Sequence, residues 1–230
     1  MSDAERYKQQ AAEQALQYVE SGMALGLGTG STAAYMLKGL AQRLADGRLR
    51  DIVGVPTSEA TAASARLLGI PLVTLDQRPQ LDLTLDGADE IDPQLNLIKG
   101  RGGALLREKI VAACSQRLII LANDSKLVAQ LGTHAPLPVE VIMFALPLCV
   151  RRLAELGGSA TLRHTADGSP FRTDEGNVIL DCRFAGIPDP APLSTAINAI
   201  PGVVEHGLFI GMAMIALVAG PAGVSTIKRQ

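Results

Sequence analysis

The chain has 230 residues, 47% of them hydrophobic and 19% charged, with a formal net charge of -2. That length and apolar content suit one large domain or two modest ones with a buried core, and exclude a chain that stays disordered. The near-neutral charge and the lack of a polybasic run give no long-range pull toward nucleic acid or an anionic membrane, so an anionic ligand has to be captured locally.

Cys114, Cys149 and Cys182 are odd in number, far apart and without CxxC spacing. They read as small buried apolar residues in a reducing compartment, and a cytoplasmic location is expected. His134, His164 and His206 follow no zinc-ligand spacing, so neither a metal nor another cofactor is expected. The N-terminus shows no secretory pattern. Residues 207–224, GLFIGMAMIALVAGPAGV, carry no charge and approach the length of a spanning helix. Their glycines and proline break the run into GLFI and MIALV, which read as short buried strands, and no membrane partner is expected.

In chain order, residues 3–20 predict a helix, with Tyr7, Ala11, Ala15 and Tyr18 recurring at three- and four-residue steps and Ser21-Gly22 as the stop. MALGLG (23–28) reads as a buried parallel strand that runs into TGST, and a helix begins near Ser31 or Thr32. DIVGV (51–55) predicts a strand, Ser58 a helix cap, and Ala60 to Leu68 a small-residue helix closed by Gly69. PLVTL (71–75) and LDLTL (81–85) read as strands. The turn at 100–103 opens a helix from about Ala104 to Cys114, and RLIILA (117–122) is another strand. Strands alternating with helices in this way predict an α/β fold, a mostly parallel, Rossmann-like sheet with helices on both faces.

Beyond Gly132 the texture changes. A proline-spaced apolar stretch, a helix over Ala145 to Leu156, the strands ATLRH and NVILDCRF and a helix near Pro192 to Ile200 predict a smaller α+β domain. With the last apolar run returning to the first sheet, this domain is an insertion. The expected division is a catalytic domain of residues 1–132 and 207–230 and a small domain of residues 133–206.

The stretch Asp86 to Ile110, DGADEIDPQLNLIKGRGGALLREKI, concentrates acids and glycines just past the carboxyl end of a predicted strand, the edge where ligands bind in open α/β sheets. A solvated acidic turn would use the same residue types. Gly26 to Thr32 forms a second candidate. Its glycines let backbone N–H groups converge on an anion, a helix N-terminus adds positive dipole, and Thr29, Ser31 and Thr32 offer hydroxyls. It matches neither GxGxxG nor GxxxxGK[ST]. Lys99-Gly100-Arg101-Gly102-Gly103 adds a cationic loop, in which Lys99 can meet a phosphate or an oxyanion.

Residues on a helix rotate by about 100° each. If Leu105, Leu106, Ile110 and Ala113 define the buried side, Arg107 lies opposite, Glu108 at the margin and Lys109 inside. A partly buried Glu108 suits proton shuttling, because desolvation favours its acid form; a salt-bridged helix-edge glutamate is the plainer reading. Asn123-Asp124-Ser125-Lys126 follows a strand to the same sheet edge, where Lys126 can bind a hydroxyl or simply be exposed. No Ser or Cys nucleophile beside a His and no stacking platform is evident, so the kit suits metal-free proton transfer on a phosphorylated polyol.

GLGTGSTA (26–33), PTSEAT (56–61), DGADEID (86–92), KGRGGALLREKI (99–110), NDSK (123–126), PLPVEVI (136–142), TDEGNVILDC (173–182) and IPGVVEHGLF (200–209) together resemble the type A ribose-5-phosphate isomerase family. The likeness runs along the whole chain in order. It implies metal-free interconversion of ribose 5-phosphate and ribulose 5-phosphate through an enediol(ate), in the pentose phosphate pathway. By position, Glu108 matches the family's base, Asp86 and Asp89 the acids at the sugar hydroxyls, and Lys99 the cation at the reacting oxygens or phosphate. Gly28, Thr29, Gly30, Ser31 and Thr32 match the phosphate loop, Gly100 and Gly102 the second loop, and Lys8 and Lys126 lysines that reach the ligand. Arg101 and Gly103 depart from the KGGGAA common in relatives, as do Met143 and Met214 from a proline and an aspartate. The resemblance also implies a homodimer or homotetramer. A non-catalytic sugar-phosphate sensor on a similar scaffold is the alternative; it needs the phosphate cradle but no Glu108.

Overall fold

A computed structural model of the chain describes residues 2–229; Met1 and Gln230, the outer ends of the expected catalytic domain, lie outside the described residues. The chain divides into two units, residues 1–88, 107–126 and 211–230 in the first and residues 89–106 and 127–210 in the second.

Helix α1 (Asp3–Ala15) starts where the Ser2 hydroxyl accepts the Glu5 N–H, and it ends in a short 3-10 turn, Leu16–Tyr18, in place of the last residues of the expected helix. Strand β1 (Ala24–Leu27) is wholly buried and leads to α2 (Ser31–Ala45). Strand β2 (Val53–Pro56) leads to α3 (Glu59–Leu67), which Ser58 caps by accepting the Thr61 N–H at 3.0 Å. Strand β3 (Leu83–Asp86) is followed by the short pair β4 (Glu90–Ile91) and β5 (Leu97–Ile98), then α4 (Leu105–Ala113) and β6 (Leu118–Asn123). Strand β7 (Leu137–Val141), α5 (Leu146–Glu155), β8 (Ser159–Leu162), β9 (Val178–Arg183), α6 (Pro190–Asn198), β10 (Val203–His206), β11 (Leu208–Phe209), β12 (Ile215–Gly220) and β13 (Gly223–Lys228) complete the chain.

In the first unit, six strands lie in the order β13-β12-β6-β3-β1-β2, parallel except for the terminal β12–β13 hairpin. Ala11, Ala15, Met36 and Leu40 of α1 and α2 share a core with Leu25, Leu27, Leu83, Leu85, Ile119 and Leu121 of the strands. Val111 of α4 packs separately with Ala24, Val55 and Leu81. From β1 the chain steps to β2 on one side and to β3 on the other. The switch point therefore falls between β1 and β3, the position that opens a crevice at the carboxyl ends of the strands.

In the second unit, β10-β7-β9-β8 form an antiparallel sheet and β11-β5-β4 a smaller one. Val139, Val141, Val178 and Leu180 share its core with Cys149 and Leu153 of α5 and Ile197 of α6. The mixed α/β class with a mostly parallel main sheet is as expected. The final apolar run is split as read, but only its second piece returns to the first sheet: Ile215–Gly220 inserts beside β6, while Leu208–Phe209 joins β5 in the small sheet of the second unit. Among the described residues no helix is long and apolar enough to cross a membrane.

Two local expectations change. PLVTL makes no extended strand: Leu72 forms only an isolated bridge to Gly54, Pro71 has no N–H for a ladder, and the Gln77 side chain pulls Thr74 into a turn at 2.9 Å. Cys114 is half-buried, whereas Cys149 and Cys182 are fully buried. The unit division also sets residues 89–106, 127–132 and 207–210 with the second unit, where the expected small domain was residues 133–206 alone. Ile98 of β5 and Leu208 of its partner β11 pack into that unit's core, and Glu90 of β4 holds the turn at 132–135, which accounts for this.

Candidate active site

The first unit holds Gly28 to Thr32, Asp86, Glu108, Lys8 and Lys126. Gly28 follows β1, and Asp86 ends β3, its neighbour in the sheet. The Gly28 N–H donates to Leu85 O at 3.0 Å, extending the parallel ladder by one step. A side chain at Gly28 would force its neighbour to shift, since its Cβ would stand 2.3 Å from Asp86 Oδ1. Asp86 is 1% exposed, and its Oδ1 accepts the Thr29 N–H at 3.1 Å and the Gly87 N–H at 2.7 Å. The carboxylate is thus pinned to the glycine loop.

Thr29 is occupied twice over. Besides its N–H on Asp86, its Oγ1 lies 2.7 Å from Thr57 Oγ1, 2.9 Å from Ser58 Oγ and 3.0 Å from Thr61 Oγ1. Thr57 and Thr61 in turn donate to the carbonyls of Leu27 and Gly28. Three hydroxyls, from the turn after β2 and the first turn of α3, therefore brace the loop at Thr29. Gly30, at φ 110°, starts α2 without a side-chain cap, and Ser31 is exposed and Thr32 half-buried in the first turn. The first N–H groups of a helix have no intrahelical partner, so this end is suited to an anion.

Glu108 is 5% exposed. The helical face differs from the expected one: Leu105, Glu108, Val111 and Ala112 are buried, while Ile110 is 42% exposed and Ala113 is also exposed. Glu108 therefore sits within the buried stripe rather than at its margin, and Lys109 is half-buried. The stripe turned because Val111 docks into the packing of Ala24 and Leu81, which pulls the 105–108–112 line inward. Arg107 pairs with Glu59 at 2.8 Å and holds that carboxyl below its ordinary value.

Lys8 is bonded to Glu5 at 2.6 Å, and the Tyr35 hydroxyl donates to the other Glu5 oxygen at 2.6 Å. Lys8 and Tyr35 together lower the Glu5 carboxyl from its usual range. This ties Lys8 to α2, one turn beyond Ser31. Lys126 is half-buried in the 3-10 turn Asp124–Lys126 after β6.

The second unit holds Asp89, Lys99, Gly100 and Gly102. Asp89 and Lys99 flank the β4–β5 pair. The Asp89 N–H donates to Ile98 O at 2.8 Å, and its Oδ2 accepts the Arg101 N–H at 2.9 Å. Lys99 is 2% exposed, its Nζ is 5.5 Å from the centroid of the Phe209 ring, and its N–H donates to Gly207 O. Gly100 is buried and Gly102 exposed. Among the described residues no group of three or more His, Cys, Asp and Glu side chains is arranged to hold a metal ion.

Residues 53–223 match the family model of ribose 5-phosphate isomerase A (phosphoriboisomerase A). The chain belongs to the ribose 5-phosphate isomerase A family. It is 65% identical to the ribose-5-phosphate isomerase A of Roseiflexus castenholzii over 96% of this chain and 95% of that one. It is 55% identical to that of a Synechococcus strain over the full length of both. A solved D-ribose-5-phosphate isomerase in complex with phospho-erythronic acid superposes with a TM-score of 0.97 at 42% identity, covering 99% of this chain and 100% of that one. The isomerase A of Methanocaldococcus jannaschii superposes at 0.94 with 42% identity, covering 98% and 100%.

Several supporting residues escaped the sequence reading. Thr57 and Thr61 stood in PTSEAT without an assigned task, and only their convergence on Thr29 reveals one. Glu90 has no assigned task in DGADEID either. It is 1% exposed and accepts the N–H groups of Gly132, His134 and Ala135 at 2.6, 2.5 and 2.6 Å. Flanked by Asp89 and Asp92 in DGADEID, Glu90 carried no local signal that set it apart from the other acids.

Proposed function

We propose that this chain interconverts D-ribose 5-phosphate and D-ribulose 5-phosphate by proton transfer through an enediol(ate), without metal or other cofactor, in the non-oxidative pentose phosphate pathway. Glu108 is the base. It takes the proton from C2 of the open-chain aldose and returns it to C1, and the reverse reaction uses the same group. Asp86 and Asp89 bind sugar hydroxyls and manage ring opening. Lys99, with Gly100 and Gly102, offsets the charge that develops on the reacting oxygens. Gly28, Gly30, Ser31 and Thr32 hold the phosphate, with Thr29 as the brace of that loop, and Lys8 and Lys126 supply further positive charge.

The observation that carries this reading is Glu108, a carboxylic acid at 5% exposure in the buried stripe of α4, in a chain whose family is named for this isomerisation. Support for the ligand class comes from the relative solved with phospho-erythronic acid, itself a phosphorylated sugar acid. A cytoplasmic setting agrees with three free cysteines. Assembly into a homodimer or homotetramer has exposed apolar side chains to draw on, since Phe144 is 95% exposed and Ile142 and Val150 are exposed as well.

The test is formation of ketose from ribose 5-phosphate by purified protein in EDTA. Wild type is expected to turn over. Glu108→Gln should bind the sugar phosphate but lose about 10²- to 10⁴-fold in kcat, the range of general-base catalysis. Normal turnover by Glu108→Gln would remove that residue from the mechanism. Saturable binding by wild type with no ketose formed would favour the sensor.

A further inference from the structure

Arg163, between β8 and β9, is given no part by the reaction as written above. Each of its three guanidinium nitrogens is nevertheless engaged. Nε donates to Asp181 Oδ2 at 2.8 Å and Nη2 to Asp181 Oδ1, a two-pronged ion pair that fixes the plane of the group. Nη1, the remaining nitrogen, donates to two successive carbonyls of the glycine loop, Gly100 O at 3.1 Å and Arg101 O at 3.0 Å. The Phe171 ring lies 5.7 Å from the guanidinium carbon, and its N–H is bonded to Arg163 O. The same ring fills the space that a side chain at Gly103 would need, 2.5 Å from the position of a Cβ there. Arginine and phenylalanine thus bear together on one loop.

No peptide bond of the described chain is cis. In a trans peptide the C=O and the next N–H point in opposite directions. With both carbonyls drawn to one nitrogen, the N–H groups of Arg101 and Gly102 are aimed away from Arg163. The first is seen where this predicts, on Asp89 Oδ2 at 2.9 Å. The second belongs to Gly102, an exposed residue. Two successive N–H groups pointing the same way make a small anion-binding concavity.

We infer that Arg163 is a positioning residue for the isomerisation: by clamping the Gly100 and Arg101 carbonyls it sets two peptide planes, so that the Arg101 N–H orients the Asp89 carboxylate and the Gly102 N–H faces an oxyanion. Asp181 holds the clamp in its plane. The inference rests on the isomerase reading, since it needs Asp89 to act on the sugar. A lysine cannot replace Arg163, because one ammonium cannot keep the planar fork on Asp181 and both carbonyls together.

The experiment measures kcat and KM for ribose 5-phosphate, with thermal unfolding, for wild type, Arg163→Lys, Asp89→Asn and the double variant. Arg163→Lys is expected to unfold within a few degrees of wild type and to lose about 10- to 100-fold in kcat, the scale of misplacing a catalytic group by ~1 Å. Starting from Asp89→Asn, the same substitution should lose much less, because the group it orients has already been changed. A merely structural role would give equal losses in both backgrounds and would overturn the inference, as would wild-type kcat in Arg163→Lys. If Arg163→Lys does not fold, Asp181→Asn, which loosens the fork but keeps the guanidinium, takes its place with the same expectation. Absence of ketose from wild type would instead sink the isomerase reading itself.

Discussion

Gly28 matters through what it lacks. A methyl group there would press on Asp86 Oδ1 at 2.3 Å and on Asp86 Cα at 2.6 Å, and a backbone atom cannot step aside as a side chain can. Gly28→Ala is therefore expected to cost about 1–3 kcal/mol, the usual range for forced overpacking. With Asp86 in its proposed role at the sugar hydroxyls, kcat should fall as well, by about 10²-fold for a shift near 1 Å. Thermal unfolding and steady-state kinetics on the one variant check both, and an unchanged melting temperature would contradict the close approach. At this scale the residue types were legible in advance: glycine beside a strand end, acid at the next strand end. The assignment of Thr29 was less so. Its hydroxyl is shared among Thr57, Ser58 and Thr61, whose positions near it depend on how α3 packs after β2.

Between elements, charge is used as a fastener. Glu90 on β4 gathers three N–H groups from the turn at 132–135, joining segments far apart in sequence. In Glu90→Gln one oxygen can still serve His134 and Ala135, but the amide nitrogen then faces the Gly132 N–H, donor against donor. A loss of about 1–3 kcal/mol is expected, the penalty for a buried donor left unsatisfied. It should appear as a lower denaturation midpoint together with faster hydrogen exchange at the amides of residues 132, 134 and 135. An unmoved midpoint would mean that the turn holds without the carboxylate. Helix α4 carries the same lesson about neighbours. A pattern drawn from Leu106, Ile110 and Ala113 chose the wrong stripe, because the apolar residues of a short helix outnumber the places its partners offer. Packing of Val111 decided which line turned inward.

For the whole molecule, pH dependence can be read from Glu140 on β7. It is 1% exposed; Oε1 accepts from Thr173 and Asn177, while Oε2 is buried with no hydrogen-bond partner among the described residues. Burial raises its pKa above the ordinary 4.5, partly opposed by those two hydrogen bonds, and the carboxylates of Glu175 and Glu205 push it further the same way. An acid with a raised folded pKa contributes stability that is complete below its ordinary value and is lost as pH climbs through the raised one. Glu140→Gln should therefore melt higher than wild type at neutral pH, by about 2–4 °C for each ~1 kcal/mol relieved, and the two curves should converge near pH 4. A gap that stays constant with pH would contradict this. The α/β class, the order of most elements and the Gly26-to-Thr32 and Asp86-to-Ile110 stretches as strand-end turns were written in the sequence, because periodicity, glycine turns and strand-end acids are local signals. The tertiary structure alone decided that Glu108 sits within the buried stripe of its helix, that the β4–β5 pair groups with the second unit, and that Arg163 reaches the glycine loop. Each depends on groups brought together from distant parts of the chain, and no local pattern encodes which distant partner a side chain will meet.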